Sequence, residues 1–178
     1  KGVSSAASDV YKRQLQSGLG VDEILLQEWV ASALQERKIR QTELNRAISE
    51  NMEIVDRLAI VRMEDMGMRS NGYRITAIAG DTCDACVVIH GDVGASFGDD
   101  DVYPVSASFY TNSFLHTEGG LYDLTRFATK FDSDGGGHAN ACGCRIQPIE
   151  GGEMAERSVE VDDIDRNLKV WLAMWSER

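Results

Sequence analysis

Positive charge is what this chain has least of. Its 178 residues carry 18 Lys and Arg against 29 Asp and Glu, a formal net charge of -11. Gripping long duplexes by bulk electrostatics needs a basic face, so that class of function is excluded. Short nucleotides held by a few local contacts stay compatible. No apolar run approaches the roughly 20 residues needed to cross a bilayer, and no apolar leader stretch is present. Histidine is scarce: His90, His116 and His138 are the only three, and none are adjacent. Cysteine is limited to the pairs Cys83/Cys86 and Cys142/Cys144. Close pairs invite a zinc reading. However, Cys86 leads into the apolar run 87–89, and Cys142 and Cys144 share one face of an expected strand. Buried, reduced thiols of a cytoplasmic protein are the better expectation.

What is present is an ordinary 43% of apolar residues, enough for one compact domain with a helical appendage. Residues 21–66 are helical in pattern. Ile24, Leu25, Trp29, Val30, Ala33 and Leu34 form one stripe, and Leu44, Ile48, Val55, Leu58 and Ala59 a second. The polar interval 35–41 separates either two helices, the second capped by Thr42, or the halves of one bent helix. Residues 69–72 break the pattern. Strands are predicted at 73–79, by alternation, at 85–90, by a nearly continuous apolar run, and at 102–111. Asp99, Asp100 and Asp101 read as a solvated turn. Residues 150–153 read as a loop. Residues 161–175 read as a closing helix with Ile164, Leu168, Trp171, Leu172 and Trp175 inward. The fold class that follows is α/β, a mixed sheet flanked by helices and preceded by a helical linker.

The stretch most telling of function is Gly135, Gly136, Gly137 and His138, followed by Ala139, Asn140, Ala141, Cys142 and Gly143. Three consecutive glycines cost backbone entropy and offer nothing to pack. They suit a chain that turns through positive φ or lies against a ligand, with N–H groups aimed at an anion. A histidine beside them adds a donor that can carry charge. Upstream, Leu121, Leu124, Phe127, Ala128 and Phe131 fall at helical spacing; downstream, residues 141–149 read as a strand closed by Pro148.

This helix, GGGH-x-x-Ala-x-Gly and strand unit resembles the DHH-associated substrate-binding domain of DHH-family phosphoesterases. That family includes RecJ-type exonucleases, oligoribonucleases, nucleotide phosphatases and cyclic dinucleotide hydrolases. The likeness is specific over residues 121–149 and extends over 69–178. It implies that Gly135, Gly136, Gly137 and His138 meet the nucleotide and its phosphate. Asn140 either contacts base or sugar or bonds to the loop. Many relatives carry an arginine on the strand before this unit, where Tyr110 or Ser108 stands here. Tyrosine offers a stacking face and one donor in place of a cationic fork. His116 either compensates for the missing cation or is an exposed bystander, and Arg126, Lys130 and Arg145 are the nearest basic residues.

The family's catalytic half uses two metal ions, usually manganese, held by residues that include an Asp-His-His tripeptide. That tripeptide is absent, so no catalytic or metal-binding residue is expected here and the chain alone is expected to be inactive. Residues 4–14 read as the in-frame translation of a sequencing adapter. The expected organisation is therefore a non-native tail at 1–14, a helical tail of the catalytic domain with its linker at 15–68, and the substrate-binding domain at 69–178. The partners implied are a nucleotide or short oligonucleotide and the protein's own N-terminal catalytic domain, without a membrane. Two other readings are a tRNA-contacting domain of an alanyl-tRNA synthetase-like protein, which the acidic charge opposes, and a stand-alone nucleotide-binding module.

Overall fold

A computed structural model describes residues 12, 16–18, 20–95 and 103–178. The adapter-like segment, apart from Lys12, and the Asp99–Asp101 turn lie outside them. The chain divides into two compact units, Lys1–Glu43 and Leu44–Arg178. In the first, helix α1 (Val21–Leu25) is closed by the Glu23 carboxylate, which accepts the Gly20 N–H at 2.8 Å. Helix α2 (Glu28–Glu50) runs unbroken through the polar interval 35–41, so a single helix replaces the pair with a Thr42 cap. Trp29 is exposed, its indole N–H bonded to Gln27 at 2.7 Å. No described helix is long and apolar enough to cross a membrane.

The second unit is built on a six-stranded mixed sheet in the order β1-β2-β3-β4-β6-β5. Its strands are β1 (Met52–Val55), β2 (Leu58–Glu64), β3 (Ala85–Gly91), β4 (Ser106–Thr111), β5 (Gly136–His138) and β6 (Ala141–Arg145). Only β2 and β3 are parallel, with Leu58 opposite Ala85. Helix α3 (Gly72–Ala79) lies between β2 and β3, one-turn helix α4 (Thr125–Ala128) precedes β5, and α5 (Val161–Ser176) closes the chain. A short hairpin of β7 (Ile149–Glu150) and β8 (Glu153–Met154) turns on Gly151 and Gly152. The central strands β2 and β3 are buried on both faces. Leu58, Ile60, Val87, Ile89 and Phe109 pack with Phe127, Ile164, Leu168, Trp171 and Trp175. Ala59, Val61, Met63, Cys86 and Val88 pack with Ala47, Ile48 and Ile75.

Three local expectations are corrected. The second helical stripe ends at Ile48: Val55, Leu58 and Ala59 belong to a β-hairpin. Strand β2, sandwiched between helices, carries apolar residues on consecutive positions and so mimics a helix stripe. Residues 73–79 form α3, not a strand, because Asn71 caps them, its Oδ1 accepting the Arg74 N–H at 3.1 Å. The helix expected over 121–131 shrinks to α4. Asp123 Oδ1 accepts the Thr125 N–H (3.0 Å) and hydroxyl (2.6 Å) where it starts, and the chain turns again at Thr129 to reach β5. Two expected strands are also shorter: β4 starts at Ser106, and β6 ends at Arg145, with Ile149 passing to β7.

Asp163, wholly buried, fastens α5 to β7 by accepting from Arg157 (2.6 and 2.9 Å), Arg166 (2.8 Å) and the N–H groups of Glu160 (2.9 Å) and Ile149 (3.3 Å). Burial opposes its charge, yet these donors outweigh burial and hold the carboxyl well below the usual carboxylate range. Asp132 is depressed in the same way, by Arg145. A carboxyl depressed in the folded state stabilises fully above its unfolded pKa of about 4, and that stability is lost as pH falls below it. Urea midpoints are therefore expected to be flat from pH 7 to 5 and to drop below pH 4. Each such group contributes at most about 1.4 kcal/mol per pH unit. In Asp163→Asn the acid limb should be shallower; an unchanged limb would mean that Asp163 is not held in this way.

Candidate functional site

The GGGH segment is an edge strand rather than a free loop. Gly136, Gly137 and His138 pair antiparallel with Gly143, Cys142 and Ala141 of β6. Because β5 ends the sheet, one row of its main-chain N–H and C=O groups has no partner strand. Gly137 has φ +136°, and a Cβ there would sit 2.7 Å from the Ala141 carbonyl oxygen. At Gly135 the obstacle is close approach: a Cβ would lie 2.1 Å from the Ala128 carbonyl oxygen. Of the two uses expected of the glycines, positive φ is seen at Gly137; Gly135 instead packs against backbone, and Gly136 faces open space.

Two anchors hold this strand. Buried Asp132 accepts the Arg145 N–H (2.8 Å), the Arg145 guanidinium (3.0 Å) and the Asp134 N–H (3.1 Å). Arg145 also reaches Asp134 at 2.8 Å, so it is a structural cation rather than one free to meet phosphate. At the other end the Leu124 N–H donates to the Ala139 carbonyl at 3.0 Å, tying the β5–β6 turn to α4. Arg126 and Lys130 lie over the rings of Tyr122 and Phe131.

His138 and Asn140 are exposed and open onto a pocket of about 280 Å³. The pocket is completed by Ala141, by Thr111 at the end of β4, by Ser113, His116, Thr117 and Gly119 of the β4–α4 connection, and by Tyr73 of α3. Two imidazoles, four hydroxyls and an amide line it, and no carboxylate does, on a chain of net charge -11. Asn140 makes structural bonds: its Oδ1 accepts from Gly120 N–H (2.9 Å) and Thr111 Oγ1 (3.0 Å), and its Nδ2 makes no hydrogen bond among the described residues. Tyr110 is not on the pocket wall. Its ring packs against Tyr73 at 5.5 Å, and burial pushes its phenol above the ordinary value. Tyr73, read in the sequence only as a strand residue, takes the lining position. His116 is half-buried and bonded to Asp84 at 3.0 Å rather than exposed.

Elsewhere, a wider hollow of about 770 Å³ lies between the β7–β8 turn and α5. Its Arg157 and Arg166 are already paired with Asp163, with Glu150 on Arg157. The four thiols are buried and unpaired. Burial pushes them up, Cys142 to about 12, so they are poor ligands and nucleophiles. Among the described residues no three His, Cys, Asp or Glu side chains converge as a metal site.

No family model matches the sequence, and no curated protein does. Solved structures do. A pGpG-specific phosphodiesterase, PggH from Vibrio cholerae, superposes with a TM-score of 0.59 at 18% identity over 87% of this chain and 45% of that one. The two share a fold. An exopolyphosphatase-related protein from Bacteroides fragilis matches more loosely, with a TM-score of 0.46 at 15% identity over 95% of this chain and 44% of that one. The chain thus spans less than half the length of either.

Proposed function

We propose that this chain is the substrate-binding part of a metal-dependent DHH-family phosphoesterase that hydrolyses phosphodiester or phosphomonoester bonds of short oligonucleotides or small nucleotides in the cytoplasm. The observation that carries the reading is the carboxylate-free pocket beside the exposed edge of the GGGH strand. In it, His138 donates to a phosphate oxygen, the unpaired main chain of β5 lies against the nucleotide, and Asn140 Nδ2 offers a hydrogen bond to base or sugar. Tyr73 presents an exposed ring on which a base can stack. The shared fold with a pGpG-specific phosphodiesterase supports the substrate class.

The hydrolytic step, and the two manganese ions the resemblance implies for it, belong in this reading to an N-terminal catalytic domain of the parent protein. No described residue cluster here fits those ions, so this chain's part is to hold and orient the phosphate.

His138→Ala tests this. Charge-assisted hydrogen bonds are worth about 1.5–3 kcal/mol, so pGpG should bind about 10- to 100-fold more weakly by calorimetry. The melting temperature should not move, because the His138 side chain is exposed and makes no hydrogen bond among the described residues. Unchanged affinity would overturn the assignment.

A further inference from the structure

His116 enters the pocket from the loop after β4, and its setting differs from that of His138. Its side chain is 18% exposed, and its Nε2 lies 3.0 Å from Oδ1 of Asp84. Asp84 is 6% exposed and already takes the Arg57 guanidinium fork, at 2.8 Å to each oxygen. The backbone is fixed as firmly. The Asn112 side-chain amide, fully buried, donates to the Gly80 and Cys83 carbonyls, both at 2.8 Å, and the Asn112 carbonyl accepts the His116 N–H at 2.9 Å. The charge of Asp84 is balanced by Arg57 without any imidazole. What Asp84 and Arg57 achieve together is to hold the ring by one nitrogen. Nδ1 makes no hydrogen bond among the described residues and is not sealed in the interior.

We propose that His116 is a second imidazole contact for a phosphate group seated in this pocket, with Asp84 and Arg57 as its positioning residues. The inference rests on the reading of the pocket as a nucleotide site. Asp84 meets the ring at Nε2, Arg57 stands behind Asp84, and Tyr73 of α3 and His138 of β5 line the same pocket. No Lys or Arg lines the pocket to meet the anion. Nε2–H donates to the Asp84 carboxylate, and arrival of a phosphate brings negative charge to Nδ1. One proton taken from solvent onto Nδ1 then makes an imidazolium held between two anions, with both N–H groups donating. This supplies a cation on demand where the strand offers Tyr110 and Ser108 in place of arginine.

Calorimetry of pGpG binding to the full chain tests it, run at pH 8 in Hepes and in Tris so that proton uptake can be separated from binding heat. The wild type should take up protons on binding. His116→Ala and His116→Gln should each bind about tenfold more weakly and take up fewer protons. Asp84→Asn should shift the His116 ring resonances in long-range ¹H–¹⁵N spectra, a change that loss of packing alone does not produce. Should that variant fail to fold, the two His116 variants decide the matter. Wild-type affinity and proton uptake in both would overturn the proposal. If His138→Ala weakens binding and the His116 variants do not, only this inference falls. If none of them matters, or the wild type does not bind pGpG at millimolar concentration, the reading of the pocket falls with it.

Discussion

Trp171→Ala is expected to cost about 3–5 kcal/mol, the range for truncating a fully buried aromatic side chain. The indole is 1% exposed and meets Phe109 edge-on, with ring centroids 4.9 Å apart. Its Nε1–H donates to the Phe127 carbonyl at 3.1 Å. One residue of α5 therefore grips both the centre of β4 and the end of α4. Marginal stabilities of about 5–15 kcal/mol make such a loss close to unfolding for this chain. Trp171→Phe separates the two contributions: it refills much of the volume but leaves the Phe127 carbonyl without its donor. It should cost less, about 1–3 kcal/mol. Urea unfolding followed by circular dichroism reads both values, and a loss below about 1 kcal/mol for the alanine variant would mean that α5 is not docked as described. Because α4 also holds the β5–β6 turn through Leu124 and Ala139, the alanine variant should weaken pGpG binding before it unfolds.

The parts of this fold that the sequence announces are those where local pattern and tertiary environment agree. Strand β3 is a continuous apolar run because both its faces are buried, and the stripe Ile164, Leu168, Trp171 and Trp175 is a helix packed on one side. Where they disagree, the pattern misleads. The β1–β2 hairpin turns on Asp56 and Arg57, at φ +45° and +65°, with no Gly or Asn to signal it. Its supports come from afar: Arg57 on Asp84, and the Trp175 indole on the Asp56 carbonyl at 2.8 Å, 119 residues away in sequence. No window of local sequence contains them. Around the pocket, the GGGH run stood out in the sequence as a motif, and the structure makes it an edge strand. The pocket itself was not legible, because Tyr73, Thr111 and Thr117 converge only through strand order. The tie of His116 to Asp84 spans 32 residues and carries no motif. Arg145, counted in the sequence among the nearest cations, turns out to be committed to Asp132.

The three glycines of the β5 segment should respond to alanine in three different ways, although their sequence contexts look alike. At Gly135 the added methyl meets the backbone of Ala128 at 2.1 Å and 2.8 Å and the Asp132 carbonyl oxygen at 3.0 Å. Backbone cannot swing aside as a side chain can, so β5 must lift from α4. A loss at or above the roughly 1–3 kcal/mol of ordinary overpacking is expected. His138 moves with the strand, so pGpG binding should disappear as well. At Gly137 the methyl is 2.7 Å from the Ala141 carbonyl oxygen and 2.8 Å from the Cys142 Cα, in a left-handed region that a Cβ disfavours. Strain and clash together should bring Gly137→Ala near Gly135→Ala. Gly136 has no atom within 4 Å of its virtual Cβ and no positive φ. Gly136→Ala should therefore fold with a change in stability within about 0.5 kcal/mol. Yet, if the proposed function holds, it should bind pGpG several-fold more weakly, because the methyl would stand on the open edge of β5 that the proposal gives to the nucleotide. A protein of wild-type stability and reduced affinity is the result that separates a ligand-facing strand from a structural one. If Gly136→Ala binds as the wild type does, the exposed face of β5 is not where the nucleotide sits. If Gly135→Ala is as stable as Gly136→Ala, the close packing of β5 on α4 is not what these glycines are for.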